Sequence, residues 1–498
     1  MSKKFIQLLL VVAGIAFPAT ADDSYNDFLK DAKADYDAFL KEARDDYAAF
    51  RDSMNRQYAE FLKGPWNPKS LEDPVEPPRE DPVPPLIVPD DEPLPLDTMP
   101  VVIDNVVPLP EWEDVPAPQP IVPLPQDIVI PSNYSKIPVY LYGTEFTVVL
   151  PTYNPVKSSV TNYNIGDAWL GLSKDSGLLA TIDNLLENRD KYNLNDWAYY
   201  RLIQECCSKV TGTQNEKAFL EGFLMAQSGY GIRYGFDDSG KLYLLLKSDR
   251  IIAGEPYFVI EGYIYNAFNY KGSALKICDG EFGNAKPMNW IFRQLPALAY
   301  DNAPEKEVTI THYQDIKLRY RINKNLMSFF EDYPQAMVPG NFNINQWECY
   351  TNVPLSKDVQ NTIYPVLRNA IKGKSQRDAA NILIDFCETF PYAYDDEVWG
   401  CDRPFFAEET LYYPGSDCED HAILFSRLVR DLMGLDVALV NYPGHLATAV
   451  AFTEDVPGSY VNYQSRRWTI CDPTIFFAGV GHTMSGMKNS EATLYILK

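Results

Sequence analysis

The sequence predicts an α+β protein built from two tandem copies of one plan, set behind an amphipathic helix and a proline-rich linker. Three observations carry this. Sequence landmarks recur at a near-constant offset across residues 132–498. Each copy runs from a strand-like alternation into helical periodicity, and the second closes in a series of strands. Composition changes abruptly near residues 64 and 131. A chain of 498 residues also exceeds what one core organises, so several folded units are expected.

The chain opens on an export signal, residues 1–21. Lys3 and Lys4 supply the positive start, Phe5 to Phe17 the apolar stretch, and Ala19-Thr20-Ala21 the cleavage pattern. The apolar run is too short to span a bilayer and no second one follows. A soluble periplasmic or extracellular protein is the expectation.

Residues 22–64 repeat every 11 residues: Tyr25, Tyr36, Tyr47 and Tyr58 keep step with Phe28, Phe39, Phe50 and Phe61. Eleven residues are close to three helical turns, so these aromatics share one face of a long amphipathic helix. Such a stripe needs a partner. Packing against its own copy or another domain is favoured over docking to an envelope component.

Residues 65–131 contain 20 prolines in 67 positions, which excludes regular helix and central strands and predicts an extended spacer. That spacer would let the helix and the globular part move independently.

The duplicated part divides into 132–304 and 305–498. Asn162-Tyr163-Asn164-Ile165 recurs as Asn341-Phe342-Asn343-Ile344, with Trp169 and Trp347 following. Leu172 to Asp175 recurs as Leu355 to Asp358, and Leu202-Ile203 with Cys206 recurs as Leu383-Ile384 with Cys387. A hairpin opens each copy, Val139 to Leu150 around Gly143-Thr144 and Val308 to Arg321 around Tyr313-Gln314-Asp315. Helices are predicted at 176–189, 195–210, 358–372, 376–389 and 418–433, the last stopped by Gly434. Strands follow at 437–440, 446–452 and 467–471.

Function is written in the second copy. Tyr413-Pro414-Gly415-Ser416-Asp417 forms a turn into an apolar periodicity, which places Cys418 at a helix N-terminus. Unpaired N–H groups and the helix dipole favour a thiolate there. His445 stands at the mouth of a strand after Pro443-Gly444, as a base for the sulfur. Asp472 ends a strand before Pro473 and would hold the other ring nitrogen. A merely buried cysteine, or a disulfide with Cys401, is the bland alternative. Cys418-x-x-His421 is a metal spacing without a second pair, so no metal and no cofactor is expected. His421 is expected to pack or cap, and His312 and His482 to lie on the surface.

The order of Asp417-Cys418-Glu419-Asp420-His421-Ala422, the Gly434-Leu435 helix exit, Gly444-His445 and Asp472-Pro473-Thr474 resembles the transglutaminase-like superfamily over roughly 376–498. The resemblance implies a papain-related core and acyl transfer at amide bonds through Cys418, His445 and Asp472. It also implies an oxyanion donor, for which Tyr394, Thr410 and Tyr413 are candidates. The first copy has Thr211 to Glu216 at its helix start, Gly240-Lys241 where Gly444-His445 stands, and Glu261 near the aspartate position, so it reads as a degenerate companion.

The expected function is an exported cysteine peptidase or amidase acting on a peptide or protein. The alternatives are a non-enzymatic envelope module, a cross-linking transglutaminase, and a structural protein assembled through the aromatic helices. The formal charge of -24 argues against nucleic acid as a partner, because phosphate contacts need clustered Lys and Arg. Eight cysteines leave at least one thiol besides Cys418 unpaired if Cys418 is reserved for chemistry.

Overall fold

The computed structural model describes residues 23–75, 82–88, 96–109, 115–125, 128–268, 270–338, 342–484 and 486–497. The export signal lies outside the described residues. Among those described, no helix is long and apolar enough to cross a membrane. The protein is a mixed α and β structure whose two halves each pack helices on one sheet, antiparallel throughout in the first half and antiparallel apart from two parallel linker edge strands in the second.

The chain enters through a helix, Asp23–Lys63. Its last turns bury Arg51, Asn55, Tyr58, Ala59 and Leu62, an i, i+4, i+7, i+11 stripe that matches helical periodicity. Tyr58 meets Trp169 edge-on at 4.6 Å and Phe282 at 5.7 Å, and Asn55 Oδ1 accepts from Trp169 Nε1 at 2.8 Å and Gln227 Nε2 at 3.0 Å. Upstream, Tyr36, Phe39, Tyr47 and Phe50 remain exposed. The expected packing against another domain therefore holds for the end of the helix and not for these four rings.

The linker differs from the free spacer that its prolines suggest. It adds strands β1 (Trp66–Ser70), β2 (Leu86–Ile87), β3 (Pro100–Val101) and β4 (Asn105–Pro108) to sheets of both halves. Proline lacks an N–H, yet an edge strand needs only some of its donors, and the residues between the prolines supply them. Helix and globular part are pinned together.

The first half opens on the hairpin β5 (Tyr134–Leu141) and β6 (Thr144–Pro151), turning at Tyr142-Gly143, one residue before the Gly143-Thr144 turn that the alternation predicted, with Thr144 already in the strand. Helices Ile165–Ser173, Ser176–Lys191, Asp196–Val210 and Gln214–Gln227 follow, with Asp175, Asn195 and Thr213 capping the last three. Strands β7 (Ile232–Phe236), β8 (Leu242–Ser248), β9 (Ile251–Ile252), β10 (Tyr257–Ile260), β11 (Tyr263–Asn266) and β12 (Ala274–Cys278) complete it. The sheet order is β1-β12-β7-β8-β11-β10.

The second half opens on β13 (Lys306–Ile310) and β14 (Tyr313–Tyr320). Here the turn falls at Thr311-His312, and Tyr313-Gln314-Asp315 is strand. A register shift at Thr309/Ile310 lets the strand start earlier than the alternation alone indicates. Helices Lys324–Asp332, Phe342–Asn352, Lys357–Ile371, Gln376–Glu388, Asp395–Val398, Ala407–Thr410 and Cys418–Met433 follow, the short strand β15 (Ala336–Met337) lying between the first two. Gly434 ends the last helix at φ +64°, a left-handed value that glycine accepts without cost. Strands β16 (Asp436–Tyr442), β17 (His445–Ala451), β18 (Tyr460–Tyr463), β19 (Arg466–Cys471), β20 (Ile475–Phe476) and β21 (Thr493–Ile496) end the chain.

The second sheet runs β4-β21-β16-β17-β19-β18-β3. Strand for strand, its central five repeat the order β12-β7-β8-β11-β10 of the first sheet, and each sheet has a linker strand on the β12 or β21 edge. In the first half the helix Gln214–Gln227 packs against the β7–β8 hairpin that follows it, and in the second the helix Cys418–Met433 packs against the β16–β17 hairpin. All eight cysteines are free thiols, seven of them buried and Cys401 exposed.

Candidate active site

Cys418 is the first residue of its helix, where Asp417 and Asp420 form a capping box. Asp420 Oδ2 accepts from Asp417 N at 3.2 Å and its Oδ1 from Phe405 N at 2.8 Å, which locks the helix start against residues 389–417. That segment has no counterpart in the first half, where the helix Gln214–Gln227 follows its predecessor after a three-residue gap.

His445 begins β17, after the two-residue turn Pro443-Gly444 that follows β16 at Tyr442. Its Nε2 lies 2.8 Å from Asp472 Oδ2, and Asp472 Oδ1 accepts from Thr474 N at 3.0 Å and Thr474 Oγ1 at 2.7 Å. Both carboxylate oxygens are thus used, and the ring orientation is fixed. Burial alone would raise the Asp472 carboxyl, but His445 and Thr474 outweigh it and hold it below its usual range. Burial likewise opposes charge on His445, and Asp472 reverses that and raises the imidazole above its ordinary value. His445 Nδ1 is buried and makes no hydrogen bond.

The sulfur sits beside the same strand. The helix that Cys418 begins packs on the strand that His445 begins, and the backbone N–H of Leu446, next to His445, favours the thiolate. The other influences run the opposite way. Burial, then Glu419 and Asp417, push the thiol well above its ordinary value, and Cys418 Sγ donates to Glu419 Oε2 at 3.1 Å. The helix-start thiolate expected from the dipole is therefore overridden by two neighbouring carboxylates and low solvent access. Cys418, His445 and Asp472 are 6%, 3% and 2% exposed. All three predicted residues are buried: His445 and Asp472 are bonded to each other, and Cys418 begins the helix packed on the His445 strand with its thiol donating to Glu419.

Tyr392 is a site residue that the sequence pattern missed. Ala393 N donates to Ser416 O and Ser416 N to Pro391 O, so residues 391–393 run beside the turn that delivers Cys418. The Tyr392 hydroxyl is buried without a partner, and burial followed by the charge of Cys418 raises it. Of the donors considered earlier, Thr410 Oγ1 is engaged with Asp420 O at 3.4 Å, and Tyr413 stacks in a cluster with Trp399 and Phe405. Tyr394 flanks the site edge-on to Tyr392 at 5.4 Å.

His421 is fully buried, 6.2 Å from Tyr392 and 6.1 Å from Phe476 by ring centroid. Burial, partly offset by the Pro473 carbonyl, lowers it to about 4, so it is a neutral packing residue as expected. His312 is not a bare surface residue: its Nδ1 lies 3.3 Å from Asp385 Oδ1 and its ring packs on Phe477. His482 is likewise only partly exposed.

The acidic surroundings of Cys418 form three overlapping ligand sets, Asp417-Cys418-Glu419, Asp395-Asp417-Asp420 and Asp395-Asp402-Glu419, each with atoms within 4.8 Å. Burial and mutual repulsion raise Asp395, Asp417 and Asp420. Oxygen-rich sets of this kind suit a hard divalent cation rather than zinc. The Cys418-x-x-His421 pair is not among them. Elsewhere, a cavity of about 880 Å³ in the first half is lined by Arg189, Asp196 and Met288 and by no residue of the triad.

The first half differs at each matching place. Gln214 starts the equivalent helix and Leu242, buried, starts the equivalent strand, with Lys241 exposed in the turn. Glu261 does not take the aspartate position: it lies in the β10–β11 turn at φ +53° and pairs with Arg233 at 2.9 Å. Where the chain leaves β11 it offers buried Ala267 and partly buried Phe268, whose ring lies 5.2 Å from Trp197. Counting along the sequence missed this because the loops between strands differ in length.

No family model, curated protein or solved structure matches the chain.

Proposed function

We propose that the second half is a cysteine-nucleophile hydrolase of peptide or amide bonds, with Cys418 as nucleophile, His445 as base and acid, and Asp472 as the residue that orients the imidazole. One observation carries the reading: His445 is clamped through Nε2 by a doubly anchored carboxylate, leaving a buried, unpartnered Nδ1, and the strand it begins packs on the helix that Cys418 begins. A clamped imidazole with one free nitrogen is what a thiol needs as a base. The resemblance to the transglutaminase-like superfamily, and with it a papain-related tandem fold, supports the same reading.

In this mechanism the Cys418 proton leaves Glu419 and moves to His445 Nδ1, and the sulfur attacks the substrate carbonyl carbon. The carbonyl π pair becomes an oxyanion, held by the Cys418 backbone N–H and the Tyr392 hydroxyl. Collapse breaks the C–N bond, His445 gives its proton to the departing amine, and a thioester remains. Water, deprotonated by His445, attacks the thioester and regenerates the thiol. An amine in place of water would give a cross-link. The export signal read from residues 1–21 would put this activity outside the cytoplasm.

The test is labelling with an electrophilic acyl-type thiol probe near neutral pH, on wild type, Cys418→Ala and His445→Ala. Labelling at Cys418 that vanishes in the first variant and slows by about 10²-fold or more in the second is expected. Equal labelling of wild type and His445→Ala would leave an accessible thiol and no enzyme.

A further inference from the structure

Three of the linker strands extend the edges of the two main sheets, whereas β2 pairs only with β20, in a two-stranded sheet of its own. That small sheet lies at the candidate active site. Val83 N donates to Gly444 O at 2.9 Å, and Gly444 immediately precedes His445. Leu86 N donates to Thr474 O at 3.2 Å, and Thr474 is the residue that anchors Asp472. Val88 N donates to Phe476 O at 3.0 Å, and Phe476 packs on His421. One short segment is thus bonded, through main-chain groups, to the loops that present both the base and its carboxylate.

The segment's side chains divide in the same sense. Val88 is 4% exposed in an apolar cluster with Ile475 and Met484, with Val83 packed against it, whereas Ile87 is 66% exposed. Main-chain pairing at a short sheet edge, with alternate side chains taken into pockets, is how an extended peptide is recognised by strand addition. Pro84 and Pro85 keep the segment extended and cost no bond, since the donors used are Val83, Leu86 and Val88. The same bonds are open to any extended peptide that can displace it.

We propose that residues 82–88 occupy the groove that receives the substrate, so that the substrate is an extended apolar peptide and the linker is its tethered competitor. This rests on the hydrolase reading above. Held on the same chain, the segment is present at high effective concentration, and the site opens only in the fraction of molecules in which it has left.

The experiment uses the full chain and two variants, Leu86→Pro and Val83→Pro, each removing one donor at a position outside the deep core. Two probes are compared at Cys418: iodoacetamide, and a peptidyl acyloxymethyl ketone carrying Pro-Leu-Ile-Val. The variants should react with the peptidyl probe roughly tenfold faster than wild type, with less than about a twofold change for iodoacetamide. A synthetic peptide of residues 82–88 added in trans should return the variants to the wild-type rate. Recovery by the peptide also separates release of the segment from unfolding, because an unfolded variant would gain adducts at the other buried cysteines and ignore the peptide. Equal peptidyl rates in all three proteins, with labelling still dependent on His445, overturn the tethered competitor and leave the hydrolase. Labelling indifferent to His445→Ala overturns both.

Discussion

The two halves share a strand order and differ in what stands at three points of it. One carries Cys418, His445 and Asp472; the other carries Gln214, Leu242 and the Ala267-Phe268 exit. The shared sheet shows that the scaffold is held by packing, which those positions do not need to serve. The second half places a thiol, an imidazole and a carboxylate there and adds residues 389–417, which bring Tyr392 and the acidic groups near the sulfur. The first half instead uses its helical face to anchor the entering helix through Tyr58, Asn55 and Trp169.

Asp472→Asn tests the largest difference. The amide keeps the shape but cannot hold the imidazolium, and its NH₂ favours the wrong tautomer, so Cys418 labelling by an acyl-type probe should fall about 10²- to 10⁴-fold. Unfolding midpoints should move little by comparison. Ala267→Asp writes a carboxylate into the matching exit of the first half, at a fully buried position. With no partner waiting, it should cost about 3–5 kcal/mol in denaturant unfolding and yield no activity. A stable Ala267→Asp protein would mean that the first half retains a receptive site.

Tyr58→Ala probes the anchoring role. Removing a fully buried ring between Trp169 and Phe282 should destabilise the first half by roughly 3–5 kcal/mol, read by chemical denaturation, while His445-dependent labelling in folded protein stays within about twofold. Loss of labelling would show that the halves are coupled. The smallest effect is expected at Glu419. Its charge raises the Cys418 thiol, so Glu419→Gln should lower that value and move the alkylation profile toward lower pH, roughly tenfold faster near pH 7. An unchanged profile would mean that burial alone sets the sulfur's protonation.

The triad was legible because each member sits at an element boundary that leaves a mark in sequence. A turn followed by apolar periodicity gives the helix start, Pro443-Gly444 gives the hairpin, and Pro473 gives the strand exit. The starts of helices such as Ser176–Lys191 and Gln376–Glu388 were readable from their apolar periodicity, whereas their capping residues Asp175 and Ser375 emerge only in the structure. Tyr392 left no such mark. It is brought alongside the turn before Cys418 by a strand-like contact with Ser416, across a loop that no periodicity describes. Glu261 failed in the opposite way, since an offset along the chain does not see loops of unequal length.

By itself, then, the sequence determined what local physics determines: which stretches are helix or strand, where they stop, and which side chains stand at those stops. Tertiary structure alone decided what each side chain meets. It buried Cys418, which raises the thiol more than its sequence neighbours Glu419 and Asp417 do, turned a proline-rich spacer into four edge strands, and laid one of them along the site. Protonation and pairing depend on groups brought together from distant parts of the chain, and their energies exist only once burial has removed the water between them.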